Sequence, residues 1–324
     1  MLMTVALLSV AAAVAQPQGK QPNLSPEEMK LVQSIQSATD PAAKLKVVAE
    51  LIKKFPKTEV RMQVAELAAE QIGAIKDAGQ RLSFAQQYLT IFTAPAEEEL
   101  IFPALISAYA DSNQADEGFT KGADFLTRHP DSLDVLVRLL SIGTDQAKKQ
   151  NGKYVQQSIQ YGTHAAELFE ADKKPADMDE GQWKTYKTAA LSGTYQSLGL
   201  LYYASGKRDQ AKASYLKASQ LAPTEPYNFM MLAALANQEY QDAALRYKTM
   251  PSGPARDEEL KKTQAMLDQV IDAYAHAIAL AEGSPNLQQV RQQYVEDMET
   301  YYKYRHGSTE GMQQLIDKYK PTKP

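Results

Sequence analysis

The most informative absence in this 324-residue chain is cysteine, of which there is none. Without cysteine the protein can form no disulfide, no thiolate metal site, no thiol nucleophile and no lipid-modified cysteine anchor. Histidine is also scarce: the four histidines stand apart, at positions 129, 164, 276 and 306, and none belongs to an H-E-x-x-H or E-x-x-H arrangement. The sequence therefore predicts neither a metal site nor a cofactor.

Other motifs that carry chemistry are missing as well. The sequence holds no G-x-G-x-x-G, no G-x-x-x-x-G-K and no G-x-S-x-G, which mark dinucleotide, phosphate and serine-hydrolase sites. Lys and Arg number 35 against 39 Asp and Glu, and this net charge of -4 argues against a dedicated nucleic-acid binder. We therefore expect a protein that is not an enzyme and has no nucleic-acid partner.

The N-terminal residues have the pattern of an export signal. Residues 1–15 carry no charged side chain, contain an apolar run from Val5 to Val10, and end on Ala13-Val14-Ala15, the small-x-small pattern that signal peptidase reads. The run is shorter than the roughly 20 apolar residues of a membrane span. We interpret 1–15 as a signal peptide and 16–25 as a flexible lead-in, with a buried N-terminal helix as the alternative. An exported protein, periplasmic or secreted and without a membrane span, is the prediction.

Helix signals recur along the chain, whereas no sustained alternation of β-branched residues predicts a strand. Ser25 and Pro26, followed by two glutamates, form a cap, a first-turn proline and dipole-favoured acids. Asp40-Pro41 opens a second helix, which Phe55-Pro56 ends. Further helices are predicted at 58–75, 78–93, 95–110, 114–128, 132–149, 153–170, 178–204, 208–221, 226–239, 257–281, 286–305 and 308–319.

The breaks between these helices suggest an organisation in two parts. Short connections are typical of antiparallel neighbours, so we expect degenerate helical hairpins over 26–170. A polar segment with Pro175 predicts a linker at 171–180. A repeat region follows over 181–324, interrupted by an insertion at 241–256 that contains Pro251, Gly253 and Pro254.

Residues 192–225 carry the pattern of a two-helix repeat. Tyr195, Leu198 and Tyr202 share one helical face by their i, i+3, i+7 spacing. Small residues at other positions let two helix backbones approach closely and bury the large ones between them. The signature positions are Tyr195, Leu198, Gly199, Tyr202, Ala211, Tyr215, Ala218 and Pro223.

This stretch resembles the tetratricopeptide repeat (TPR) family, whose unit is about 34 residues long. The next window continues in phase, with Phe229 and Ala233 about 34 positions after Tyr195 and Gly199. Tyr274 is the expected counterpart of Tyr215 in the partner helix, and Ala277 that of Ala218. The resemblance implies an all-α fold, a right-handed superhelical array of antiparallel helix hairpins.

The resemblance also implies a binding surface, because in this family the first helix of each repeat lines a concave groove. The corresponding positions here are Gln196, Leu200, Tyr203, Tyr227, Met230, Asn237 and Gln238. Such a mixed apolar and polar groove suits an extended peptide or an amphipathic helix. Gln196 and Leu200 replace the Lys and Asn of chaperone-binding relatives, which disfavours a terminal-carboxylate clamp. An ordinary solvent-facing role for each residue is the alternative.

The favoured function is that of an exported, non-catalytic TPR scaffold that binds a peptide or protein partner in its groove, in cell-envelope assembly or maintenance. The alternative is a small-molecule or glycan binder with the 241–256 insertion as a lid and tyrosines as stacking platforms. An enzyme whose residues converge from separate repeats is a third hypothesis. The C-terminal tyrosines at 294, 301, 302, 304 and 319 are expected to pack the last hairpin, or else to form a contact surface. No oligomeric state is predicted.

Overall fold

The computed structural model describes residues 22–175 and 178–321. All regular structure in these residues is helical, comprising fourteen α-helices and two short 3-10 helices without a strand. The all-α prediction is therefore confirmed. The predicted signal peptide at 1–15 and most of the lead-in at 16–25 lie outside the described residues.

The chain forms two compact units, Met1–Ile142 and Gly143–Pro324. The boundary falls inside a continuous helix, Leu133–Lys148, whereas the sequence predicts a linker at 171–180. That segment does connect two helices, but both of them belong to the second unit. A break between units therefore does not coincide with the polar, proline-containing stretch that suggested one.

The described part of the first unit contains six complete helices and the start of a seventh. They are α1 (Pro26–Ser37), α2 (Pro41–Lys54), α3 (Arg61–Gly73), α4 (Ala78–Ile91), α5 (Pro95–Asp111), α6 (Ala115–Arg128) and α7 (Leu133–Lys148). The predicted caps are present: Ser25 and Glu28 form a capping box, and the Asp40 carboxylate accepts from the amide of Ala43 at 2.8 Å. From α1 to α6, each helix packs against the next one along the chain, the arrangement expected of an α-solenoid.

The second unit contains the end of α7 and seven further helices among the described residues. They are α8 (Val155–Glu170), α9 (Glu180–Ala204), α10 (Arg208–Leu221), α11 (Pro226–Thr249), α12 (Pro254–Leu280), α13 (Gln288–His306) and α14 (Met312–Asp317). Helix α9 packs against α8 and α10, α11 against α10 and α12, and α12 against α13 and α14.

The segment 241–256 is mostly helical, whereas the sequence predicted that one helix ends at 239 and the next begins at 257. It lengthens two helices, because α11 continues to Thr249 and α12 begins at Pro254. Ala243 is fully buried, so the packed face of α11 continues through this segment. The predicted helix breakers act only in the short connection, where Gly253 has a φ of 148° and Pro254 occupies the first turn of α12.

The repeat signature lies at helix contacts, as its small residues predicted. A β-carbon added to Gly199 in α9 would lie 2.9 Å from three ring atoms of Tyr215 in α10. Tyr215, Ala211 and Ala218 are all 0% exposed. Close approach of α9 and α10 therefore depends on the missing side chain at position 199.

A second pair repeats this arrangement in α11 and α12. Tyr274 and Ala277, the expected counterparts of Tyr215 and Ala218, are buried in one cluster with Met230 and Ala233. Three tyrosines of α13, at positions 294, 301 and 302, and Tyr319 just after α14 pack against this cluster. Tyr304 is the exception, since it is 74% exposed. Most of the C-terminal tyrosines thus serve the packing role expected of them.

Candidate functional site

Three of the predicted groove residues follow one face of α9. Gln196 and Leu200 are half-buried, and Tyr203 is 41% exposed. Their spacing of four and three residues places them on successive turns of the same face. An exposed tyrosine near the end of a half-buried stripe offers a large contact area at a low entropic cost.

The groove residues on α11 are less accessible, because α13 lies beside them. Met230 is 4% exposed, and its carbonyl accepts from the Tyr294 hydroxyl at 2.9 Å. The side-chain oxygen of Asn237 accepts from the Tyr301 hydroxyl, also at 2.9 Å. The two contacts lie about two helical turns apart on both helices, so α11 and α13 run side by side in the same direction.

Tyr227 and Gln238 complete the predicted set, and both are half-buried. Tyr227 meets the ring of Tyr215 edge-on at 6.2 Å. Burial raises the pKa of Tyr294 to about 12, and the neighbouring Tyr203 and Tyr227 contribute to the shift. The structure thus brings tyrosines from α9, α11 and α13 together. The side-chain oxygen of Gln238 is buried without a hydrogen-bond partner.

A buried asparagine, not anticipated from the sequence, joins α9 to α11. Asn228 is 0% exposed, and its side-chain oxygen accepts from the Gln196 amide at 3.1 Å. Its amide nitrogen is buried without a partner. This contact fixes the start of α11 beside the middle of α9. Asn228 could have been noticed in the sequence as a polar residue on the apolar side of a repeat helix. A polar side chain that is buried there needs a hydrogen-bond partner.

An open cleft of about 630 Å³ lies beside the N-terminal half of α9. It is lined by Lys184, Thr185, Thr188, Ala189, Ser192, Gly193, Gln196, Leu221, Ala222 and Glu225. Helix α9 begins at Glu180, but α11 begins only at Pro226, which corresponds to Ser192 in the repeat. The first three turns of α9 therefore have no counterpart in α11, and the cleft occupies the space beside them.

The cleft and the predicted groove residues of α9 form one surface, which we call the α9 face. It consists of the cleft residues of α9 together with Leu200 and Tyr203. Gln196 belongs to both parts. The surface combines hydroxyl groups, small apolar residues and an exposed aromatic ring along one helix, which suits contact with a polypeptide.

The strongest pKa shifts belong to tyrosines such as Tyr215 and Tyr274, where burial raises the pKa within the core. In 22–175 and 178–321 there is no group of three or more His, Asp or Glu residues that could hold a metal ion. Within the same residues, no helix has the length and apolar character to cross a membrane.

A further polar cluster joins three helices of the second unit. Glu170 in α8 accepts from the hydroxyl of Tyr195 in α9 and, at 2.8 Å, from the ammonium of Lys217 in α10. Burial raises the pKa of Tyr195, and the hydrogen bonds from Lys217 and Tyr195 lower that of Glu170. The phenol thus stays protonated and the acid ionised, which describes a structural crosslink.

No protein-family model matches the sequence, and no curated protein matches it.

Proposed function

We propose that this protein is an exported, non-catalytic scaffold of the TPR type that binds a peptide or protein partner on the α9 face. The observation that carries the proposal is the continuity of this face, from the open cleft at Lys184 to the exposed ring of Tyr203. Stacked helix pairs present extended surfaces of this kind and few enclosed pockets. The repeat-like packing of Gly199 against Tyr215 supports membership of the TPR family.

A polypeptide partner is favoured over a small molecule or glycan by the course of the chain at 241–256. Such a ligand was expected to bind under a lid formed by this segment. Most of the segment is helical, and the cleft lies instead beside α9, the last residue of α10 and the connection from α10 to α11. The lid therefore lacks the flexible loop that it would need, whereas the α9 face is open along its length.

Differential capture from the native cell envelope tests the binding face. Tyr203→Ala removes the exposed ring of the α9 face. The matched control is Leu216→Ala, which removes a side chain that is 45% exposed on the neighbouring helix α10. We expect the same partner to be recovered with the wild type and Leu216→Ala, and to be lost or strongly reduced with Tyr203→Ala. Equal recovery with both variants contradicts the assignment of the face, and no recovery with any of them contradicts the scaffold.

A photo-crosslinking amino acid identifies the contact directly. Placed at position 203, it should capture the partner as a covalent adduct, and placed at position 216 it should not. Export is a separate part of the proposal, because it rests on the pattern at Ala13-Val14-Ala15. Sequencing the N-terminus of the mature protein from its own cell should find a chain that begins at Gln16.

A further inference from the structure

The hydroxyl groups of the cleft present hydrogen-bond acceptors. Thr185 donates to the carbonyl of Gly181 at 3.0 Å, and Thr188 donates to that of Lys184 at 2.9 Å. The Ser192 hydroxyl donates to a carbonyl of α10 at 3.4 Å. Because each hydroxyl proton is used within the protein, the oxygen lone pairs remain to accept from a ligand. A matching ligand must therefore present hydrogen-bond donors, and the N–H groups of a polypeptide backbone are donors of this kind.

Two charged residues lie toward opposite ends of the cleft. Lys184 is exposed and forms no ion pair within the described residues. It precedes Gln196 by about three helical turns, which places it roughly 18 Å away along α9. Glu225 caps α11 just before Asn228, the partner of Gln196, and therefore lies toward the other end. Its carboxylate accepts one hydrogen bond, from the amide of Tyr227 at 3.2 Å.

Small residues leave space for a backbone to approach α9 between these charges. Ala189, Gly193 and Ala222 line the cleft, and Ala189 and Gly193 are exposed. A β-carbon added to Gly193 would meet nothing within 4 Å. No large side chain of α9 therefore stands between Lys184 and Gln196 on this surface, so the backbone of a ligand with small side chains can approach the helix closely.

We propose that the cleft binds an extended peptide of small residues, with an ammonium group at the Glu225 end and a carboxylate at the Lys184 end. Extended chain spans about 3.3–3.6 Å per residue, so about five residues cover the roughly 18 Å between Lys184 and Gln196, the length of the cleft along α9. The peptide N–H groups donate to the hydroxyl oxygens of α9. The inference deepens the proposed function, on which it rests, by naming the ligand chemistry of one part of the α9 face.

Calorimetric titration of the full chain with pentaalanine tests the proposal. We expect saturable binding of the peptide with free termini, and weaker binding after N-acetylation or C-amidation. Exposed ion pairs contribute little, so each modification should weaken binding by about two- to fivefold. An acetylated and amidated peptide, Lys-Ala-Ala-Ala-Asp, shows whether side-chain charges replace the terminal ones. No binding by either peptide overturns the proposal.

Substitutions locate the bound peptide. Gly193→Trp fills the cleft and should abolish binding, whereas Gly152→Trp places the same bulk at a second open position outside the cleft. Circular dichroism establishes that both variants are folded. In Glu225→Gln, which keeps an oxygen for the helix cap, N-acetylation should have no further effect. In Lys184→Gln, the same should hold for C-amidation. Binding that survives Gly193→Trp, or acetylation that weakens Glu225→Gln as much as the wild type, overturns the proposal.

The two proposals fail in different ways. If pentaalanine does not bind but partner capture still depends on Tyr203, only the cleft assignment is wrong. If pentaalanine binds as described but no partner depends on Tyr203, the cleft assignment holds and the scaffold proposal is wrong.

Discussion

The ring of Tyr215 lies so close to Gly199 that a β-carbon at position 199 would stand 2.9 Å from three of its atoms. Tyr215 is 0% exposed and belongs to a cluster with Ala211 and Leu235, which brings α10 and α11 together. Gly199 therefore sets how closely α9 and α10 pack. The ring of Tyr215, which occupies the space beside this glycine, also packs against α11.

Alanine at two glycines of α9 should have opposite effects on stability. Gly199→Ala forces the buried ring of Tyr215 to move, and such overpacking costs about 1–3 kcal/mol of stability. This cost exceeds the gain in helix propensity from glycine to alanine, which is roughly 0.5–1 kcal/mol. Gly193→Ala gains the same helix propensity without a clash, because a β-carbon there meets nothing within 4 Å. Urea unfolding should show a lower midpoint for the first variant and a higher one for the second. Shifts of the same sign contradict the packing argument.

The sequence was sufficient to predict that Gly199 lies where two helices approach closely, because the repeat pattern places small residues among large ones on paired helices. It was not sufficient for 241–256. Pro251, Gly253 and Pro254 are correctly read as breakers, yet their effect is confined to one connection. The helices on either side are held by tertiary contacts such as that of Gln241 with Tyr301, 2.6 Å apart and 60 positions away in the chain.

The candidate site was predicted only in part for a similar reason. Gln196, Leu200 and Tyr203 follow from the phase of one helix, which local spacing determines. The cleft depends on where α9 starts relative to α11, and the coverage of Met230 depends on a tyrosine of α13. Neither relationship has a local pattern, since each joins segments that are far apart in the chain.

The hydroxyl of Tyr301 should contribute measurably to stability. It donates to Asn237 and accepts from Gln241, and these bonds link α13 to α11. Tyr301→Phe keeps the ring contacts with Tyr240 and Tyr274 but removes both hydrogen bonds. We expect a loss of about 0.5–1.5 kcal/mol in the free energy of unfolding. Tyr304→Phe is the control, because Tyr304 is 74% exposed, and an equal loss in that variant would contradict the assignment.

A nearly buried ion pair in the first unit predicts a larger effect. Glu97 is 4% exposed, and its carboxylate forms an ion pair with Arg61. The Arg61 guanidinium donates two hydrogen bonds to this carboxylate, one of them at 3.0 Å. Burial alone would raise the pKa of Glu97, but hydrogen bonds from Arg61 and the Ala94 amide hold it below the ordinary value. Arg61→Met leaves the carboxylate without its partner, and we expect a cost of about 2–3 kcal/mol in chemical unfolding.

The same substitution in a second background separates the charge from the packing of Arg61. Glu97→Gln removes the negative charge while its oxygen can still accept from the Ala94 amide. In this background Arg61→Met should cost clearly less than in the wild type. An unchanged cost would mean that the effect comes from packing, for example from the position of Arg61 over the ring of Phe92.

The stability of the second unit should fall in mild acid because of His276. Its ring stacks on that of Tyr319, with centroids 4.3 Å apart, and contacts the tilted ring of Phe229, with centroids 4.0 Å apart. Burial lowers the pKa of His276 below its ordinary value of 6.5, against the opposing effect of Asp272. The unfolded chain therefore takes up the proton first as the pH falls. The stability contributed by the neutral ring is complete above about pH 6.5 and is lost as the pH falls through the lowered pKa.

Unfolding midpoints at about pH 7.5 and 5.5 should differ more in the wild type than in His276→Phe, which keeps the stack without a titrating group. The pKa of this histidine, followed by NMR, should lie below the ordinary value of 6.5, and a higher value would contradict the prediction.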